Sequence, residues 1–320
     1  VSAPEAASWF LSVGERTDGR AARSALWAAA LADSAPVARR FLALAMNESR
    51  PWNARRTAMQ LAGATGDATL VPELERIARA GTGDEGEARA RRRKDEGNVA
   101  RAAADALAMV PDDAGIDALV RLAEGAPTAG VRKAAVFHAA NSGDPRGIRV
   151  ARTIAEDSRQ DVEVRNSAIF AMLNRDDAGD AERRWARELF PRLTSERLQD
   201  PILMGLAQHG STDDRQWVLA LARDERLPVK TRRSAVFWAG QGGAPIADLL
   251  AAYRAVATGD VKEHVIFALS QREGEDATDA LVDIARRDEN REMRRKALFW
   301  LGQRKDARAM QVLTEIITEP

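Results

Sequence analysis

The residues of this chain whose type and spacing could do chemistry form one recurring set, in which an amide side chain follows an apolar residue by four positions. The set occurs in six successive segments, and its pairs are Phe137 and Asn141, Phe170 and Asn174, Met204 and Gln208, Phe237 and Gln241, Phe267 and Gln271, and Phe299 and Gln303. Residues four apart share one face of an α-helix. An amide both donates and accepts hydrogen bonds, and an aromatic ring offers a flat apolar surface. The chemistry that this pattern predicts is non-covalent binding.

Two interpretations of these six amides, which we call the amide ladder, are open from the sequence. In the first, the phenylalanines stack from repeat to repeat as a second layer of core, and each amide satisfies free carbonyls at its own helix end or bridges to the next repeat. In the second, rings and amides line a partly exposed groove, where the amides bond the backbone of an extended peptide and the rings contact its side chains. Fully buried rings would exclude the groove.

No catalytic or metal-binding pattern occurs in the sequence. The three histidines, His138, His209 and His264, fall in segments that would not be neighbours in a stack of repeats, so we expect surface or packed histidines. Paired carboxylates such as Asp176-Asp177 lie where turns and helix N-termini require them. There is no nucleophile elbow, P-loop or His-Glu-x-x-His motif. The sequence therefore predicts a protein that is not an enzyme and that holds no cofactor and no metal.

The composition narrows the class of protein further. The 320 residues include no cysteine, which excludes disulfides, cysteine zinc sites, iron–sulfur clusters and a cysteine nucleophile. The 48 basic residues are balanced by 48 acidic ones, and a formal net charge of zero argues against nucleic acid as the main partner. No apolar run is long enough to span a bilayer, so we expect no insertion into a membrane. The partner that these observations favour is a protein or a peptide, and they leave the oligomeric state open.

The segments that carry the amide ladder belong to a longer series of internal repeats. Equivalent positions are residues 27, 60, 106, 137, 170, 204, 237, 267 and 299, at separations of 30 to 34 residues except for one of 46. Within each repeat, apolar residues recur at helical spacing in two stretches, and a Gly-Asp or Asp-Asp turn commonly follows the second. Each repeat is therefore predicted to be a helical hairpin with the ladder on its second helix. Residues 1–320 are predicted to form a single domain of about nine stacked hairpins.

The longer interval marks an insertion at residues 81–97, between the helices of the third repeat. It contains a basic cluster that includes Arg91, Arg92 and Arg93. A solvated loop is one interpretation of this segment, and a docking loop for an acidic partner is the other. Insertions in repeat proteins tend to lie on one face and are often functional, so we expect a secondary binding site here.

The repeats resemble the short HEAT-like repeat. The resemblance rests on an aspartate-rich turn and on a second helix in which Arg is followed by small and apolar residues, as in Arg232-Arg-Ser-Ala-Val-Phe-Trp-Ala-Gly-Gln241 and Arg294-Arg-Lys-Ala-Leu-Phe-Trp-Leu-Gly-Gln303. It covers nearly the whole chain and is strongest in the last six repeats. It implies an all-α fold, a right-handed α-solenoid (a superhelix) whose second helices line the concave surface.

The second helices are most similar to those of bacterial HEAT-repeat proteins, often exported, that have no assigned activity. HEAT-like proteins include adaptors, scaffolds, bilin-attachment lyases and DNA glycosylases, so the resemblance alone leaves the function open. We expect a non-enzymatic scaffold that binds a partner protein or an extended peptide along the concave face. The alternatives are a lyase and a glycosylase-like protein with Arg55, Arg56, Lys133, Arg233 and Arg295 on a basic face. The resemblance favours a periplasmic or secreted location, with the cytoplasm as the alternative.

Overall fold

The computed structural model describes residues 3–17, 19–32, 37–80, 99–111, 113–304 and 307–318, and these residues form α-helices, short 3₁₀ turns and connecting loops without a β-strand. The predicted all-α fold is confirmed. The chain divides into two compact units, Val1–Asp177 and Ala178–Pro320. The single solenoid over residues 1–320, with its right-handed superhelix, stays a prediction.

Both units are built from consecutive antiparallel helices that follow the repeat pattern. In the first unit the helices are α1 (Ala3–Arg16), α2 (Gly19–Ala32), α3 (Ala38–Met46), α4 (Trp52–Ala64), α5 (Val71–Arg79), α6 (described over 99–107), α7 (Asp113–Gly125), α8 (Ala129–Asn141), α9 (Pro145–Glu156) and α10 (Val162–Asn174). In the second unit they are α11 (Asp180–Leu189), α12 (Glu196–His209), α13 (Thr212–Leu221), α14 (Val229–Gln241), α15 (Ile246–Ala255), α16 (Gly259–Ser270), α17 (Glu275–Arg287), α18 (Arg291–Gln303) and α19 (Ala307–Thr318). The nine equivalent positions of the sequence all fall on even-numbered helices.

The turn between α8 and α9 joins one hairpin to the next, and its glycine and aspartate have the roles that the sequence predicts. Gly143 has a φ of +75°, in the left-handed region that favours glycine. The carboxylate of Asp144 then accepts the backbone N–H of Arg146 over 2.7 Å and caps the start of α9. Further along, Gly147 faces α8 so closely that an added Cβ would lie 1.9 Å from the carbonyl oxygen of Ala139. A glycine at this position lets the two helices meet at their backbones.

A repeated arginine ties the two helices of a hairpin together. The Nε atoms of Arg55, Arg165 and Arg232 each donate to a backbone carbonyl ten residues earlier, at the end of the preceding helix, over 2.8 to 3.0 Å. Carbonyls in the last turn of a helix have no partner within the helix, so these bonds satisfy otherwise orphaned acceptors. The arginine that opens the sequence motif therefore serves the fold.

The even-numbered helices pack side by side and form one face of each unit. In the first unit α8 contacts α10, and in the second unit α12, α14, α16 and α18 contact one another in that order. Their inward residues are small or aliphatic and fully buried, for example Ala235, Val236 and Ala239 of α14. The opposite sides of these helices carry the amide ladder.

Candidate functional site

The amide ladder lies at the carboxyl ends of the even-numbered helices. Its members are the last residues of α8, α10, α14 and α18 (Asn141, Asn174, Gln241 and Gln303), the next to last of α12 (Gln208) and the residue after α16 (Gln271). Asn174 is half-buried and the other five are exposed. Each amide therefore stands beside the free carbonyls of a helix end, at the surface.

The phenylalanines that precede the amides are only partly buried. Phe137, Phe237 and Phe267 are half-buried, Phe170 is 36% exposed and Phe299 is 56% exposed. In the first unit Phe137 and Phe170 stack, with ring centroids 6.3 Å apart. None of these five rings is fully buried, so the structure does not exclude a groove. The role of these residues in binding stays a prediction.

Two of the six amides are bonded at their own helix end, as the core interpretation expects. Asn174 donates from Nδ2 to the carbonyl oxygen of Phe170 over 2.8 Å, and Gln271 donates from Nε2 to Oγ of Ser270 over 3.2 Å. The other four have no hydrogen bond to the part of the chain that the structure describes, and they are Asn141, Gln208, Gln241 and Gln303. Those four amides keep both their donors and their acceptor for water or a ligand.

Clefts open beside the amides in both units. In the second unit a cleft of about 730 Å³ contains Gln271, Gln303 and the half-buried Trp300 among its lining residues. In the first unit a cleft of about 370 Å³ contains Asn141 and Asn174. Four of the six ladder amides therefore line clefts between successive repeats.

A second cleft of the second unit, which we call the central groove, lies over the middle of the even-numbered helices. It has a volume of about 390 Å³ and is lined by Asp200, Lys230, Arg233, Ser234, Phe237, Trp238, His264 and Phe267. Polar contacts cross it from helix to helix. Trp238 donates from Nε1 to Oδ1 of Asp200 over 2.9 Å, which links α14 to α12. Arg233 donates from Nε to Nε2 of His264 over 3.0 Å, which links α14 to α16.

The contacts of His264 determine which of its ring nitrogens carries the proton of the neutral imidazole. Its Nδ1 lies 3.0 Å from the carbonyl oxygen of Asp260 and donates to it, since Nε2 accepts from Arg233. Burial lowers the pKa of the imidazole below its usual 6.5, and the positive charge of Arg233 lowers it further. The groove therefore holds the positive charge of Arg233 next to an imidazole whose pKa is lowered.

The repeat pattern of the sequence did not predict these contacts between helices. Trp238 and Trp300 directly follow ladder phenylalanines, and both rings are half-buried at the groove face. Trp300 packs edge-on against Phe267 of the preceding even-numbered helix, with centroids 5.4 Å apart. The repeated Phe-Trp pair is the signal in the sequence that could have identified tryptophan as part of this face.

One residue of the predicted basic face does not lie on it. Arg55 was expected there and is instead buried, where its Nε donates to the carbonyl oxygen of Ala45. Lysines on even-numbered helices pair with glutamates of neighbouring even-numbered helices, in the pairs Lys133–Glu163, Lys230–Glu196 and Lys296–Glu263. These pairs cancel charge locally, which weakens the case for a phosphate backbone as ligand.

His138 and His209 do not line the central groove. His138 bonds Oδ1 of Asp105 through Nε2 over 2.9 Å, and His209 is exposed at the end of α12. Within the described ranges no group of three or more histidine or acidic side chains could hold a metal ion. None of the helices described is long and apolar enough to cross a membrane. The predicted basic loop at 81–97, with Arg91, Arg92 and Arg93, lies outside the described residues.

Comparisons with known proteins agree with the repeat architecture. Residues 246–320, which hold α15 to α19, match the family model of HEAT repeats. No curated protein matches the chain. Among solved structures, that of human deoxyhypusine hydroxylase in complex with glycerol is similar, with 18% sequence identity, coverage of 80% of this chain and 93% of that chain, and a TM-score of 0.31. The family match supports HEAT repeats in residues 246–320, where the sequence motif predicted them, and the likeness of the chain to bacterial proteins stays a prediction.

Proposed function

We propose that this protein is a non-enzymatic scaffold that binds an extended segment of a partner protein along the face of its even-numbered helices. The proposal rests on one observation, that ladder amides are exposed and form no hydrogen bond within the described structure. Gln208, Gln241 and Gln303 are exposed and unbonded within the described structure, and the rings beside them are partly open. Such amides match the alternating donors and acceptors of a peptide backbone.

The dimensions of packed helices suit this ligand. Neighbouring helices lie about 8–10 Å apart, and an extended chain advances about 3.3 Å per residue, so successive amides would meet about every third residue of the peptide. The second unit presents four amides in succession, at the carboxyl ends of α12, α14, α16 and α18. The half-buried rings of Phe237 and Phe267 supply apolar surface for the intervening side chains.

Selection from a random dodecapeptide library displayed on phage, with the full chain immobilised, tests the proposal. We expect enriched peptides whose synthetic copies bind the wild type and bind the triple variant Gln241→Ala, Gln271→Ala and Gln303→Ala at least tenfold more weakly, since each lost hydrogen bond removes about 1 kcal/mol. The matched control is Gln216→Ala, an exposed glutamine on the odd-numbered helix α13. It should bind as the wild type does.

Two results would contradict the proposal. One is a selection that enriches no peptide on the wild type over the bare support. The other is a set of peptides that bind the triple variant as tightly as the wild type, because such peptides would occupy a different surface. Equal weakening by the control variant would also count against the ladder.

A further inference from the structure

We infer that the central groove takes an acidic side chain of the bound segment, with its carboxylate on the guanidinium of Arg233. The inference rests on the proposed function and specifies the ligand of the same face. The occupant is an aspartate or glutamate of an extended peptide, and the charges and contacts of the groove favour it.

The carboxylates of the groove region already have donors. Asp200 accepts the indole N–H of Trp238 over 2.9 Å. Glu196, next to the groove, lies 2.6 Å from the ammonium of Lys230, which is itself a lining residue. These contacts give each of the two acidic groups a donor, and neither acid is bonded to the remaining cation.

Arg233 is that remaining cation. Its Nε bonds the neutral Nε2 of His264, and among the described residues it forms no ion pair and no other hydrogen bond. The terminal Nη1 and Nη2 atoms therefore keep their donors. A guanidinium presents such donors in a fixed fork that matches the two oxygens of a carboxylate. The hydrogen bond that Arg233 donates to His264 holds the fork in place before any ligand arrives.

The surroundings strengthen such a contact. The partly buried rings of Phe237 and Phe267 line the same groove. Apolar walls lower the local dielectric, so an ion pair beside them is stronger than one in open water. On α18, Arg295 stands at the position that Arg233 has on α14, four residues before the ladder phenylalanine, but it is exposed and does not line the groove. It provides a matched control.

The peptide selection described above supplies the ligand for the test. We expect the enriched sequences to share one aspartate or glutamate at a constant distance from an apolar residue. For a synthetic peptide of this kind, fluorescence anisotropy should show that Arg233→Gln weakens binding about tenfold or more, while Arg295→Gln leaves it unchanged. Replacing the acidic residue of the peptide by its amide should weaken binding by a similar factor.

A double-mutant cycle tests whether Arg233 contacts the acidic residue of the peptide. If Arg233 meets the acidic residue, the amide peptide should bind Arg233→Gln no more weakly than it binds the wild type. A second variant, Arg233→Glu, should regain binding when the acidic residue of the peptide is replaced by lysine. Circular dichroism melting of each variant separates loss of binding from loss of fold.

The possible failures are distinct. Two results would overturn this inference and leave the proposed function standing. In the first, the enriched peptides share no acidic residue. In the second, the peptides bind Arg233→Gln as tightly as the wild type but lose affinity for the triple glutamine variant. A selection that enriches no peptide would overturn both.

Discussion

Arg232 of α14 is buried, and its Nε donates a hydrogen bond to the carbonyl oxygen of Ala222 at the end of α13 over 2.8 Å. Its Nη1 also lies 3.1 Å from Oγ1 of Thr258, directly before α16. A single side chain thus joins the two helices of one hairpin and reaches the next repeat. Arg165 and Ala155 have the first of these relationships in the other unit.

Replacing this arginine should destabilise the fold. Arg232→Met keeps a long apolar stem but leaves the carbonyl of Ala222 buried without a donor, so we expect the free energy of unfolding to fall by about 2 kcal/mol. Urea denaturation followed by circular dichroism measures the change. Arg226→Met is the control, because the side chain of Arg226 is 90% exposed and pairs only with the nearby Asp224. Equal stability of the two variants would contradict a structural role for Arg232.

The core and groove interpretations of the ladder phenylalanines predict different losses of stability when a ring is replaced by alanine. Phe299 is 56% exposed, so Phe299→Ala should lower the free energy of unfolding by about 1 kcal/mol or less. Phe190→Ala is the comparison within the same unit, since Phe190 is 2% exposed and its loss should cost about 3–5 kcal/mol. Denaturant titration of both variants checks the difference. A cost for Phe299→Ala as large as that for Phe190→Ala would favour the core interpretation.

Much of the fold was predictable because it depends on local chemistry. Apolar residues at helical spacing and turns such as Gly143-Asp144 mark where each helix ends and the next begins, and the structure confirms that turn with a left-handed glycine and a capping carboxylate. The repeat motif also located the even-numbered helices, since every equivalent position falls on one of them. The arginine that opens the motif is visible in the sequence, although its bond to the preceding helix is not.

The central groove was not predictable because its contacts join residues about thirty positions apart. Asp200 and Trp238 belong to different repeats, as do Arg233 and His264, and their pairing depends on how far one helix is rotated against the next. Helical periodicity assigns a residue to a face of its own helix and carries no information about that rotation. For the same reason the sequence placed Arg55 on a surface face, whereas it turns inward to a carbonyl.

The ladder amides should contribute little to stability. Because Gln241, Gln271 and Gln303 are exposed, their joint replacement by alanine should leave the melting temperature unchanged or slightly raised, since alanine is the better helix former. The control is Gln199→Ala. Gln199 is buried, donates to the carbonyl oxygen of Leu193 over 2.8 Å and accepts from Thr231, so its loss should cost about 1–3 kcal/mol. A large drop in the melting temperature of the triple variant would contradict the groove interpretation.

His264 should make the stability of the protein depend on pH in one direction. Burial and Arg233 lower the pKa of the folded imidazole below 6.5, so as the pH falls through 6.5 the unfolded chain takes up a proton that the folded chain resists. Stability from this group is complete above 6.5 and declines toward the lower pKa of the folded state. His264→Gln removes the titrating ring, and its melting temperature should fall less with decreasing pH than that of the wild type. Nuclear magnetic resonance titration, with the variant used to assign the His264 signal, measures the pKa directly. A value of 6.5 or above in the folded protein would contradict a neutral His264 that accepts a hydrogen bond from Arg233.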